Sequence, residues 1–182
     1  MDIFRKVALS STTSSHSIDN DEREDIIPVV SRIDPSNNID CAINFAKILK
    51  ENKIGKGMKI AGSLDPYFYG YYNRIKKMLM DLDLDDYVTF ETDASLDKLL
   101  LIMSKCKAYF HPRSGEHFGM SIVEAMSSGL IPVVPNIGDQ TEFVPFKYQF
   151  HDLNQAAQIT SSIFNASNHD GIAISNSVAK FS

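Results

Sequence analysis

From Ile26 onward, apolar and polar residues alternate in two rhythms that take turns along the chain. IIPVV (26–30), MKIAG (58–62), YVTFE (87–91), KAYFH (107–111), LIPVV (130–134) and KYQF (147–150) are short runs bounded by turn residues. Their β-branched and aromatic content predicts six strands. Between them the spacing widens to that of a helix. Ile39, Ala42, Ile43, Ala46 and Leu49 share one helical face, as do Tyr72, Ile75, Met78, Leu79 and Leu82 within 69–84. A third helix carries Leu96, Leu99, Leu100 and Met103, with Ser95 as its N-cap. A fourth covers 119–128 and stops at Gly129, where a C-cap glycine belongs. A short helix near 140–144 and a longer one over 153–164 complete the series.

Strand and helix alternating with short connections predict an α/β fold, a Rossmann-like parallel sheet with helices on both faces. In such sheets ligands bind beyond the carboxyl ends of the strands. Attention therefore falls on the loops 31–38, 62–66, 91–95, 111–118 and 135–139. The folded body is expected over 26–166. Ahead of it, residues 10–25 are Ser, Thr, Asn, His and charge with one isoleucine, so 1–25 reads as a linker or disordered segment. Residues 167–182 form a polar tail with no assigned structure.

Composition narrows the function. The 182 residues suit one domain, and a net charge of −5 speaks against general nucleic-acid binding. Any phosphate must be held by a local set of donors. Cys41 and Cys106 lie in apolar surroundings and read as buried free thiols, with no CxxC for a redox pair or zinc. Apolar runs such as 99–103 fall far short of the roughly 20 residues that span a bilayer. MDIFRKVAL has too short an apolar stretch for a signal peptide. A cytoplasmic setting is expected, in which the Asn165-Ala166-Ser167 sequon is coincidental.

The most informative stretch is HPRSGEHFGMSIVEAMSSGLIPVV (111–134). A strand runs through a glycine-containing loop into a helix that begins near Phe118 or Gly119. The first N–H groups of such a helix, at Gly119, Met120 and Ser121, lack intrahelical acceptors and suit a diphosphate. A side chain at 119 would block close approach of a phosphate. Glu124 is surrounded by Ile122, Val123, Ala125 and Met126, and a carboxylate there needs a partner, such as sugar hydroxyls or an arginine. Glu116 lies eight residues earlier, so an acid/base pair of a glycoside hydrolase also fits the spacing. His111 and His117 lack the companion ligands of a metal site. His111 is expected to pack at a strand end, and His117 beside a sugar pocket.

These residues resemble a known pattern. Glu116-His117-Phe118-Gly119-Met120, then Glu124-Ala125-Met126 and Gly129-Leu130-Ile131-Pro132, resemble the E-x7-E signature of retaining group 1 glycosyltransferases of the GT-B fold. Gly138-Asp139-Gln140-Thr141-Glu142 resembles the family's GGxxE turn. Val30-Ser31-Arg32 with Pro35-Ser36-Asn37-Asn38 resembles its G-R-x-x-P-E-K-N loop, and Ala61-Gly62 its second strand end. The resemblance covers 26–164 and implies the C-terminal, donor-binding half of such an enzyme. It implies that Glu124 holds ribose hydroxyls, Glu116 contacts the donor hexose, and the amides of Phe118 to Ser121 cover the diphosphate. Arg32 would pair with the phosphates and stabilise the leaving group, and Glu91–Asp93 would lie against the base. Gly62, Asn37, Arg113 and His117 complete the expected binding set. The resemblance also implies that no cofactor or metal is needed, the nucleotide-sugar being the substrate.

The sequence departs from the family in one respect. Asn37 stands where the family has a lysine beside the arginine, and Arg113 is the cation placed to substitute for it. The resemblance also implies an acceptor-binding half ahead of the linker, expected to belong to a longer chain or to another polypeptide. The expected activity is hexosyl transfer from a UDP- or GDP-sugar to a glycan or lipid-linked acceptor, and the EHFG wording resembles mannosyltransferases of lipid-linked oligosaccharide assembly. Full-length enzymes of this kind would associate peripherally with a membrane. This chain alone is expected to be inactive. The rival is a catalytically inactive nucleotide-binding or scaffold module, with a hydrolase or epimerase as a third reading.

Overall fold

The computed structural model describes residues 4, 6, 23–115, 119–166 and 171–181. Six strands occur in the anticipated order: β1 (Ile26–Val30), β2 (Gly57–Gly62), β3 (Val88–Thr92), β4 (Ala108–Phe110), β5 (Ile131–Pro135) and β6 (Gln149–Phe150). β1, β2 and β3 pair in parallel, as do β4, β5 and β6. β1 lies beside β4, and a parallel bridge between Glu24 and Cys106 joins the two triplets just ahead of these strands. The spatial order is thus β3-β2-β1-β4-β5-β6. The chain works outward through β2 to β3, then returns to the centre at β4. That reversal opens a crevice beyond the carboxyl ends of β1 and β4, where ligands bind in folds of this kind.

Right-handed crossovers put α1 (Ile39–Glu51) and α2 (Tyr69–Asp81) on one face, where α5 (Leu153–Asn165) packs against α1. The other face carries α3 (Leu96–Lys105), α4 (Met120–Ser127) and α6 (Gly171–Ser177), with α6 against α4. Burial explains the wording of the strands. Every residue of β5 is buried, so it reads as a continuous apolar run, whereas edge strand β3 is partly exposed. An aromatic stack crosses the sheet from α1. The Phe45 and Phe110 rings lie 4.1 Å apart, and Phe110 and Phe150 5.6 Å apart. Such pairs add on the order of 1 kcal/mol beyond their burial. Ser95 caps α3 by accepting from Lys98 N, and Cys41 and Cys106 are free thiols.

Several boundaries differ from expectation. Arg23, expected in the linker, is tied to the body. Its guanidinium donates to Met103 O at 3.2 Å, Cys106 O at 2.7 Å and Ser128 O at 2.8 Å. A lone arginine in a polar run reads as solvated, because periodicity cannot show three distant carbonyls. Phe4 is also buried. At the other end, the polar tail contains α6, held by buried Ile174 and by Val178 one turn on. The helix expected over 69–84 ends at Asp81, with Asp83 in a left-handed conformation. The 140–144 segment is a 3-10 turn over Asp139–Glu142, and 147–150 shortens to β6 after another at Phe146–Tyr148. Among the described residues no helix is long and apolar enough to cross a membrane.

Candidate functional site

The loop after β1 is organised by Asp34, a carboxylate only 4% exposed. It caps a 3-10 turn that starts at Pro35, accepting from Ser36 N at 2.8 Å and from the Ser36 hydroxyl. It also accepts from Asn37 Nδ2 at 3.1 Å and pairs with Arg32 Nε at 3.6 Å. Asn37 Nδ2 donates in addition to Arg32 O at 3.0 Å. The amide of Asn37, expected to contact substrate, is therefore turned into its own loop. Arg32 differs: its side chain is 71% exposed, steadied on one side by Asp34. Asn38, left-handed at φ 55°, reaches across the crevice to donate to Pro112 O at 3.0 Å. That bond ties the loop after β1 to the loop after β4.

The second wall rises from β4 into α4. Tyr109 is fully buried, and its hydroxyl donates to Ser121 Oγ at 2.9 Å. The same oxygen lies 3.4 Å from Val30 O and 3.4 Å from His111 Nδ1. One hydroxyl thus touches the end of β1, the end of β4 and the first turn of α4. Gly119 precedes that helix at φ 67°, a conformation that favours glycine, and supplies no side-chain cap. The first-turn N–H groups face the crevice end of the helix with the positive end of its dipole. Ile122, Val123, Ala125 and Met126 are buried, whereas Met120 is exposed and Ser121 and Glu124 are half-buried. Glu124 is a helical neighbour of both, three residues from Ser121 and four from Met120.

Glu124 carries the electrostatic signature of the site. Burial pushes its carboxyl above the ordinary glutamate value. Its carboxylate forms no hydrogen bond or ion pair with any described residue. Just after β1, Ser31 Oγ is buried with no hydrogen-bond partner among the described residues.

The structure thus gathers Arg32, Asn37, Gly119, Met120, Ser121 and Glu124, with half-buried Arg113 in the loop after β4 and buried His111 at its strand end. Glu116, His117 and Phe118 lie outside the described residues. Gly62 has a structural reason to be glycine, since a Cβ there would come within 1.8 Å of Ser31 O. The loop after β3 is tied to the same corner, Asp93 N donating to Gly62 O at 2.9 Å and Leu64 N to Asp93 Oδ1 at 3.1 Å. Sequence reasoning missed Asp34 and Tyr109. Asp34 was legible as an Asx turn before Pro35 and Ser36. Tyr109 was legible as a phenol in a buried strand, which needs a partner for its hydroxyl. Among the described residues no group of three or more His, Cys, Asp or Glu could hold a metal ion.

Comparison with known proteins identifies the family and the fold. Residues 10–156 match the family described as glycosyl transferases group 1. The O-antigen chain mannosyltransferase RfbU of Salmonella typhimurium is 29% identical over 131 residues, 72% of this chain and 35% of that protein. The GDP-Man:Man(3)GlcNAc(2)-PP-Dol alpha-1,2-mannosyltransferase of Dictyostelium discoideum is 33% identical over 63 residues, 35% of this chain and 12% of that enzyme. The chain therefore spans about a third or less of these relatives. A mutant of S. aureus TarM, in a crystal structure with fondaparinux, alpha-GlcNAc-glycerol and UDP, superimposes with a TM-score of 0.71 at 20% identity, over 86% of this chain and 32% of that one. The C-terminal domain of a group 1 family protein, LpcC from Francisella tularensis, superimposes with a TM-score of 0.64 at 16% identity, over 81% of this chain and 84% of that one. These structures share its fold, and with the family match running over residues 10–156 the chain belongs to group 1 of the glycosyl transferases.

Proposed function

We propose that this chain is the donor-binding domain of a retaining glycosyltransferase that moves a hexose from a GDP- or UDP-sugar to a glycan or lipid-linked acceptor. The observation that carries this reading is the meeting of three features at the β1/β4 crevice. Exposed Arg32 stands on one wall, the amino end of α4 on the other, and the half-buried carboxylate of Glu124, with no hydrogen bond to any described residue, lies one turn along. A cation and a helix end suit a diphosphate, and a partly desolvated carboxylate suits vicinal hydroxyls. The names of the mannosyltransferase relatives favour mannose, with GDP as the nucleotide.

In this reading Arg32 and the α4 amides neutralise charge that develops on the leaving diphosphate. Glu124 orients the ribose and Glu116 the hexose. Asn37, turned inward, adds no second cation, which leaves Arg113 to supply one. The chain alone binds donor and transfers little, because the acceptor is held elsewhere in a longer, cytoplasmic enzyme that touches the membrane peripherally. Calorimetric titration with GDP, UDP and their sugars tests the reading. Micromolar to millimolar binding of one nucleotide supports it, and a folded chain that binds neither would overturn it.

A further inference from the structure

We propose that Tyr109 is a positioning residue for the phosphate end of the site, acting through the hydroxyl of Ser121; this rests on the donor-binding reading above. Tyr109 lies outside the motif that suggested the site, on β4, with its ring fully buried. Its phenol is where the three segments forming the crevice come within hydrogen-bonding reach of one atom. A phenol has a single proton to donate. The short contact is to Ser121 Oγ at 2.9 Å, while Val30 O and His111 Nδ1 stand back at 3.4 Å.

That arrangement has a direction. Because Ser121 Oγ accepts from Tyr109, its own proton must point elsewhere, and Ser121 sits half-buried in the first turn of α4. The serine hydroxyl is thereby set to donate to an anionic oxygen beside the first N–H groups of the helix. With the His111 proton on Nδ1, the imidazole donates to the phenol and strengthens the chain from behind. The relay runs from His111 through Tyr109 to Ser121, and ends on a phosphate oxygen. It favours nucleoside diphosphates over nucleosides, because only the former present that oxygen.

Tyr109→Phe removes the hydroxyl and keeps the ring. Affinity for GDP or UDP, whichever the wild type binds, is expected to fall roughly five- to tenfold, because the Ser121 hydroxyl loses the donor that orients its charge-assisted bond to the phosphate. Affinity for guanosine or uridine, followed by ligand-observed NMR, should stay the same. Ser121→Ala should show the same selective loss, and the double variant should lose no more than either single one. A merely structural tyrosine would weaken nucleoside and diphosphate alike. Equal loss for both ligands, additive losses in the double variant, or unchanged GDP and UDP binding would overturn the proposal. Should Tyr109→Phe fail to fold, the half-buried Ser121→Ala decides on the same selectivity. A wild type that binds neither nucleotide overturns the donor-site reading and this proposal together. A wild type that binds, with variants that bind equally well, overturns this proposal only.

Discussion

The two ends of α4 are bonded in opposite ways. At the carboxyl end every one of the last carbonyls has a donor. Ala125 O accepts from Leu130 N at 3.0 Å and Met126 O from Gly129 N at 2.8 Å, with Gly129 left-handed at φ 80°. Ser127 O accepts from Ser175 Oγ at 2.8 Å, and Ser128 O from Arg23 Nη2 at 2.8 Å. Arg23 and Ser175 come from opposite ends of the chain, so both flanks of the body converge on this point. At the amino end the bonding capacity is turned outward. Gly119 offers no side-chain cap, Glu124 has no partner among the described residues, and Arg32 is mostly exposed. The difference is physical: a helix anchored rigidly at one end can hold the groups at its other end still for a ligand. Preorganised dipoles are useful for this reason, since they need no rearrangement when charge appears.

Breaking the anchored end should have the largest effect. Arg23→Met leaves the carbonyls of Cys106 and Ser128 without the guanidinium, and that of Met103 with only Cys106 N at 3.4 Å. A loss of about 2–4 kcal/mol is expected, since each abandoned buried acceptor costs roughly 1–3 kcal/mol and partial solvation recovers some of it. Urea denaturation measures this, and a loss under about 1 kcal/mol would mean the clamp matters little. Ser175→Ala removes one of the four carbonyl contacts at the carboxyl end and should cost about 1 kcal/mol in the same assay. No change would show that α6 is not part of the anchor.

The open end should respond with the opposite sign. Burial raises the Glu124 pKa in the folded state, so folding favours its protonated form. Its ionised form therefore destabilises the fold above the folded pKa. Stability falls as pH rises from the unfolded glutamate value, near 4.3, through that higher value. Glu124→Gln should remove this slope and leave stability at neutral pH unchanged or slightly improved, by no more than about 0.5 kcal/mol. Chemical denaturation across acid to neutral pH checks this, and clear destabilisation by glutamine would mean the carboxylate has a structural partner.

The same contrast explains what the sequence discloses. The central strands and the helices over 39–51, 96–105 and 153–165 are legible because burial imposes local periods on neighbouring residues. Gly119, Glu124 and Gly129 are legible because a helix start, a carboxylate among apolar residues and a C-cap glycine are local signals. The anchors are not. Arg23 meets its acceptors across 80 to 105 residues, and Ser175 meets Ser127 across 48. Nothing near Arg23 in the chain distinguishes it from a solvated charge. Asn37 is legible as a departure from the family's lysine, but the direction its amide turns depends on Asp34 being buried, which only the folded loop decides.

The most direct test of the central claim is a map of backbone amide shifts as GDP or UDP is titrated into the isotopically labelled chain. The account predicts shifts concentrated at Arg32–Asn38, Gly119–Ser121 and Glu124, with Arg23, Ser128 and Ser175 nearly silent. Shifts centred on the Arg23–Ser175 end of α4, or no shifts from either nucleotide, would contradict it.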